Sequence, residues 1–333
     1  MTTEMTMQAP AIEVADLHKS FDDNHVLQGI DLTVPAGTVY ALLGPNGAGK
    51  TTAVRILTTL ISGDAGTATV LGHDVGTDPD AIRLRIGVTG QFSAIDELLT
   101  GRENLQLMAD LNHLPRQQGR ARAQELLERF DLVDAADRGA ATYSGGMKRR
   151  LDLAMTLVSS PRLIFLDEPS TGLDPRSRRE LWQIIRELIN EGVTIFLTTQ
   201  YLEEADELAH KVGVLDGGKL VAEGTPAELK RRVPGGRVDV TYADPAALDT
   251  AAGVIDGATS YEQSLILSIP HDGTLDALQQ LIGRLDNSAV TGLEVHTPDL
   301  DDVFLALTGH RPQSAEDSPE TTTETQMTEE VAR

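Results

Sequence analysis

Cysteine is absent from the 333-residue chain, which excludes a disulfide framework, a thiolate metal site and a cysteine nucleophile. No run of about 18 apolar residues occurs, so no segment is expected to span a membrane. The first ten residues lack the basic patch and apolar stretch of a secretory signal, and the chain is expected to be cytoplasmic. Bases are outnumbered 28 to 51, for a formal net charge of −23. A main surface that grips nucleic acid or anionic lipid is thereby excluded, because the phosphate field would repel it. What is present suits a folded protein. Hydrophobic residues make up 40% of the chain, enough for a core, and the length allows two modest domains.

Residues 1–10 are polar and expected to be disordered. Short strand-like stretches follow between 12 and 34. The continuous apolar runs at 39–43, 163–166 and 193–197 predict buried strands. Helices are predicted over 49–60, with Val54, Ile56, Leu57, Leu60 and Ile61 on one face, and over 176–190. A further helical stretch, 101–130, breaks near Pro115 and takes its apolar stripes from Leu105, Leu107, Leu111, Leu126, Leu127 and Phe130. Strands alternating with helices predict an α/β core around a mostly parallel sheet. The pattern weakens at Arg231-Arg232-Val233-Pro234-Gly235-Gly236, a linker. Beyond it, strands at 237–242, near 260, at 264–269 and at 292–296 alternate with helices at 245–254 and 274–285. This predicts a small α+β, ferredoxin-like domain over 236–309, closed by a helix at 300–307. The tail, 310–333, is acidic and expected to be disordered.

Gly44-Pro45-Asn46-Gly47-Ala48-Gly49-Lys50-Thr51 fits the phosphate loop G-x-x-x-x-G-K-[ST]. Glycines let successive backbone N–H groups turn inward onto phosphate oxygens, and the helix that follows aims its positive end at the same anion. Lys50 adds a mobile charge for the β- and γ-phosphates, and Thr51 a hydroxyl for Mg²⁺. A buried strand before the loop and a striped helix after it set the match apart from coincidence. At 163–168 an apolar strand ends in Asp167 and Glu168. Beside a phosphate loop, one carboxylate can hold Mg²⁺ through its water shell and the next can accept a proton from attacking water. Ser144-Gly145-Gly146 precedes a helix predicted over 148–159 and makes a second anion site from a hydroxyl and free amides. Lys148-Arg149-Arg150 is taken as a solvated basic face.

In this order the motifs resemble the nucleotide-binding subunit of ATP-binding-cassette transporters, over about 12–232. The resemblance implies a P-loop NTPase cassette over 11–232, with an antiparallel β subdomain and a helical subdomain at about 94–160. It implies ATP and Mg²⁺ as ligands, with nucleotide contacts from Gly44 through Thr52. Phe21 takes the place of the ring that stacks on adenine. Gln91 matches the glutamine that senses Mg²⁺ and touches the membrane partner. Ser144, Gly145 and Gly146 match the signature that meets the γ-phosphate held by the other protomer. Asp167 matches the Mg²⁺ aspartate, Glu168 the catalytic glutamate, and Ser170-Thr171-Gly172-Leu173-Asp174 the loop that crosses the dimer interface. Lys50, Glu168 and Gln200 are the expected catalytic residues. Tyr143 and Met147 stand where the signature has Leu and Gln. Gln200 stands where the switch histidine bonds the γ-phosphate; its amide donates a hydrogen bond but carries no charge, so turnover is expected to be slow.

The stretches Gln200–Asp206, Val88–Gln91 and Leu300–Gly309 further resemble the daunorubicin/doxorubicin-resistance ATP-binding subunits, which carry a C-terminal domain after the cassette. That implies an exporter ATPase acting on an apolar drug or related compound. It also implies an integral membrane permease encoded separately, a second ATP-binding subunit (expected to be a second copy), no nucleic-acid partner, and a peripheral place on the cytoplasmic face of the membrane. Two other classes compete: a soluble ATP-gated switch and a regulatory ATPase with weak hydrolysis. Translation factors of the first kind carry two cassettes in one chain, and chromosome ATPases insert a long coiled coil between phosphate loop and acidic strand. This chain has one phosphate loop and no sustained heptads.

Overall fold

The computed structural model describes residues 9–90, 94–232, 236–255, 257–271, 274–285, 289–296 and 298–309. Gln91, and nearly all of the start and tail expected to be disordered, lie outside the described residues. The first part of the chain runs β1 (Ile12–Phe21), β2 (Asn24–Val34), β3 (Val39–Leu43), α1 (Lys50–Leu57), β4 (Ala65–Val70), β5 (His73–Asp74), α2 (Pro79–Arg83), β6 (Ile86–Thr89), α3 (Gly101–Leu111), α4 (Arg116–Arg129) and α5 (Gly145–Thr156). It continues with β7 (Leu163–Asp167), α6 (Pro175–Asn190), β8 (Thr194–Thr199), α7 (Leu202–Leu208), β9 (Lys211–Asp216), β10 (Lys219–Gly224) and α8 (Pro226–Lys230).

The apolar runs form the centre of a six-stranded sheet, ordered β10-β9-β3-β8-β7-β6 and parallel except for β10 against β9. Every residue of β3, β7 and β8 is buried, as strands covered on both faces require. Alternation divides their side chains between two cores. Ala41, Leu43, Ile164, Leu166, Ile195 and Leu197 meet the helices of one face. Tyr40, Leu42, Leu163, Phe165 and Phe196 meet α1 and the antiparallel sheet β2-β1-β4-β5 on the other. The α/β cassette, its antiparallel sheet and its helical part thus stand as expected.

Differences lie mainly at element ends and helix faces. β8 begins one residue later than the apolar run and ends two later, taking in Thr198 and Thr199. α1 stops at Leu57, and Leu60 is exposed. In α3 the buried face is Gly101, Asn104, Leu105 and Ala109; Leu107 and Leu111 are exposed. The reason is the period: at about 100° per residue, 101, 105 and 109 turn to the core together, whereas Leu107 and Leu111 lie about 160° and about 120° from their middle.

The second part comprises β11 (Arg237–Tyr242), α9 (Pro245–Ala252), β12 (Thr259–Tyr261), β13 (Ile266–Pro270), α10 (Leu275–Arg284), β14 (Val290–His296) and α11 (Leu300–Thr308). The β-α-β-β-α-β succession is present, in an antiparallel sheet ordered β12-β13-β11-β14. Val238, Val240, Leu248, Leu267, Ile269 and Leu281 are among the residues of its own core. α11 does not close this unit. Leu300, Val303 and Phe304 form an i, i+3, i+4 stripe that enters the cassette core, with α11 against α7 and α8.

Candidate active site

The parallel strands bring the chemistry to one edge. β8 lies between β3 and β7, pairing Leu43 with Thr199 and Asp167 with Thr198. The loops that follow all three therefore meet at the carboxyl ends of the strands, where open α/β sheets bind ligands. The loop after β3 is held by close approach. A Cβ on Gly44 would stand 2.3 Å from the Leu215 carbonyl oxygen. Gly49, the N-cap of α1, has φ 109°, and a Cβ there would lie 2.8 Å from both Leu27 Cδ2 and the Val26 oxygen. Only glycine satisfies both that dihedral angle and that space. Pro45, Asn46, Gly47 and Ala48 complete the loop, and Thr52 follows Thr51 in the first turn of α1.

Lys50 turns back across this loop. Its Nζ donates to the carbonyls of Gly44 at 2.8 Å and Pro45 at 3.1 Å. It also pairs with Glu168 Oε1 at 3.1 Å, the two side chains being 4% and 9% exposed. Asp167 ends β7. Its Oδ1 accepts from the Thr51 hydroxyl at 3.3 Å and from that of Thr198. Glu168 has φ 48°, a left-handed conformation that costs a non-glycine residue about 1–2 kcal/mol. Its N–H donates to both the oxygen and the hydroxyl of Thr198, at 3.1 Å each. The strained turn aims the glutamate at Lys50 and the loop, and strain of this kind clusters at active sites.

Thr51 and Asp167 supply one hydroxyl and one carboxylate. Among the described residues no group of three or more His, Cys, Asp or Glu could hold a metal. A cation here would take most of its ligands from phosphate and water, which fits Mg²⁺.

The second expected anion site stands on α5. Ser144 is its N-cap, accepting from the Met147 N–H at 3.2 Å. Ser144 and Gly145 are exposed. Gly146 is required by packing, since a Cβ there would lie 2.5 Å from Ser177 Oγ at the start of α6. No hydrogen bond or ion pair among the described residues joins Ser144–Gly146 to the phosphate loop. Tyr143 anchors this segment: it is buried, and its hydroxyl donates to the Ala135 oxygen at 2.7 Å. Lys148, Arg149 and Arg150 are not a solvated face. They pair with Glu97, Asp152 and Asp131, because α5 packs that face onto acidic neighbours.

Phe21 is 45% exposed, with Lys19 Nζ 5.3 Å from its ring centre. It ends β1, in the hairpin whose Val26 and Leu27 press on Gly49. Gln200 follows β8 directly and is half-buried. Thr198 was not singled out from the sequence, although a hydroxyl in an otherwise apolar strand is a signal. Glu204, on α7, was missed as well. It is fully buried, and Trp182 Nε1 donates to its Oε1 at 3.3 Å. Burial pushes its carboxyl above the usual range, opposed by the hydroxyls of Thr199 and Ser170, the Trp182 indole and the Arg149 charge.

Comparison with known proteins agrees with this geometry. The ABC transporter family matches residues 27–171. A daunorubicin resistance ATP-binding protein of Streptomyces coeruleorubidus is 48% identical over 317 residues, covering 93% of this chain and 98% of that one. A doxorubicin resistance ATP-binding protein of Mycobacterium tuberculosis is 40% identical, covering 90% and 93%. A Nod factor export ATP-binding protein of Burkholderia lata is 37% identical, covering 92% and 100%. Among solved structures, an ATP-binding subunit of an ABC transporter matches at TM-score 0.60 with 28% identity, over 67% of this chain and 92% of that one.

Proposed function

The chain belongs to the ABC transporter family as an ATP-binding, ATP-hydrolysing subunit, and from that premise we propose that it powers export of an apolar drug or related compound through a separately encoded permease. The names of its relatives, drug resistance and export ATP-binding proteins, support this class of cargo. No helix among the described residues is long and apolar enough to cross a membrane, so the cargo path belongs to a partner, and the chain acts from the membrane surface. Leu98, 94% exposed, with Leu107 and Leu111, gives the helical part an apolar surface for that partner.

The observation that carries the mechanism is the Lys50–Glu168 pair beside Thr51 and Asp167. Phosphate oxygens compete with Glu168 and the loop carbonyls for Lys50. When Lys50 turns to the β- and γ-phosphates, Glu168 is released to accept a proton from attacking water. Thr51 and Asp167 would hold Mg²⁺, which would supply positive charge against that of the phosphates, and Gln91 is the residue expected to sense it. Gln200 donates its amide to the γ-phosphate, and Phe21 offers its open ring to the adenine. Ser144 and Gly145 stand exposed, with Gly146 half-buried beside them, and none of the three is bonded to the phosphate loop of its own chain, which supports a site completed by a second copy. Two copies then close on two ATP molecules, and hydrolysis reopens them.

The test is capture from native membranes with the Glu168→Gln variant and Mg·ATP. Recovery of a stoichiometric multi-span membrane protein is expected. Recovery of soluble proteins alone would overturn the export reading in favour of an ATP-gated switch.

A further inference from the structure

One side of α6 is fastened to α7 and to the turn before it. Arg178, Trp182 and Arg186 recur every fourth residue and so share that side. Arg178 Nη1 donates to Glu203 Oε2 at 3.1 Å, and its guanidinium carbon lies 5.7 Å from the centre of the Tyr201 ring, within reach of a cation–π contact. Trp182 Nε1 donates to the buried Glu204 at 3.3 Å, and Arg186 Nη2 to Glu207 at 2.6 Å. The contact of Arg178 bears on the chemistry, because Tyr201 directly follows Gln200.

Gln200 is a single residue between a strand and a helix cap. Before it, Thr199 ends β8, fully buried, and its carbonyl accepts the Gly44 N–H of the phosphate loop at 3.3 Å. After it, Tyr201 is the N-cap of α7 and makes no side-chain cap bond. Its N–H donates to Thr199 Oγ1 at 2.9 Å, and its ring faces Arg178. No hydrogen bond among the described residues engages the Gln200 amide. A glutamine side chain is flexible and neutral, so its bond to a phosphate depends on a backbone that is already in place.

Arg178 contributes little as a source of stability. Its side chain is 12% exposed while that of Glu203 is 66% exposed, and its Nε is buried without a hydrogen-bond partner. A nearly buried guanidinium with an unused donor carries a desolvation cost that one solvent-screened ion pair does not recover. What it provides is direction. α6 is a fixed post, anchored in the cassette core by Leu181, Ile185 and Leu188, and Arg178 sets the Tyr201 ring against it.

We propose that Arg178 and Tyr201 are positioning residues for ATP hydrolysis: the guanidinium holds the Tyr201 ring against α6 and so sets Gln200 at the γ-phosphate. The inference rests on the bond from Gln200 to the γ-phosphate proposed above. Both residues act through Gln200 and not on the nucleotide. Without the ring contact, the turn after β8 keeps its strand-side anchor at Thr199 but loses its anchor on α6. The neutral amide then spends less of its time where the phosphate needs a donor, while the phosphate loop still binds ATP.

The test is a mutant cycle in the full chain, with kcat and KM for ATP measured in each variant. Arg178→Met keeps an apolar stem and removes the charge, and leaves the exposed Glu203 to water. Turnover is expected to fall about tenfold with KM for ATP held within about twofold. Tyr201→Leu should fall as far, whereas Tyr201→Phe keeps the ring face and should retain at least about half of parental turnover. Adding Arg178→Met to Gln200→Ala should cost less than about twofold more, because a residue that acts through Gln200 then has nothing left to place. Parental turnover in Arg178→Met, effects that multiply in the double variant, or a Tyr201→Phe as slow as Tyr201→Leu would each overturn the proposal. If Arg178→Met does not fold, Tyr201→Leu takes its place in the cycle with the same criteria. Gln200→Ala alone separates the two failures. Parental turnover there overturns the reading of Gln200 and this inference with it; a loss there beside parental turnover in Arg178→Met overturns this inference alone.

Discussion

Lys50 has three acceptors within reach, two loop carbonyls and Glu168, and a phosphate chain must displace them. Glu168→Gln removes the charged competitor and keeps the shape. It is expected to lower turnover by about 10²–10⁴-fold, the usual worth of a general base, and also to tighten ATP binding. Single-turnover hydrolysis and a nucleotide titration check the two halves. A second prediction concerns Glu204, whose carboxyl burial holds above the usual range. The folded chain then keeps that proton to higher pH than the unfolded chain does, so stability falls as pH rises from the ordinary carboxylate range through the raised value. Glu204→Gln removes that loss. Its melting temperature should exceed the parent's at pH 8, and the difference should shrink as pH falls toward 5.

At the scale of elements, two neighbouring glycines on α5 separate packing from encounter. A Cβ on Gly145 meets nothing within 4 Å, whereas one on Gly146 meets Ser177. Gly146→Ala is expected to cost about 1–3 kcal/mol by forcing α5 off α6, and Ser177→Gly should restore part of it; denaturant titration measures both. Gly145→Ala should leave the melting temperature unchanged or higher and still depress ATP hydrolysis, because its open face is where the second copy would come. Much of this was legible in the sequence. The phosphate loop, the Asp167-Glu168 pair and the buried strands announce themselves because each is a short local pattern with one physical reason. The face of α3 was misjudged because leucines drew attention to 107 and 111, when Ala109 and Gly101 were the residues small enough to face inward. The paired state of Lys148, Arg149 and Arg150 was illegible, since Glu97 and Asp131 are far from them in the chain and meet them only through packing.

On the scale of the whole molecule, the chain crosses from the cassette to the small domain and returns. α11 is some seventy residues past the cassette in sequence, yet Phe304 lies in the cassette core, 3% exposed. Phe304→Ala is expected to destabilise the cassette by about 3–5 kcal/mol, read from the urea midpoint of ATP-protected unfolding. A change confined to the small domain, as the sequence alone suggested, would leave that midpoint in place. The periodicity of 300–307 marked a helix but not its destination, because an i, i+3, i+4 stripe shows what is buried and not against what.

The central claim is that the phosphate loop of one chain works with Ser144–Gly146 of another. It is tested by mixing two variants, Lys50→Ala and Ser144→Arg, before ATP is added. Each alone carries a lesion in both of its composite sites and should be inactive. In a mixed dimer both lesions fall on one site and the other is intact, so random pairing should restore about a quarter of parental hydrolysis. A mixture as inactive as its components would contradict the account, because it would mean that loop and signature act within one chain.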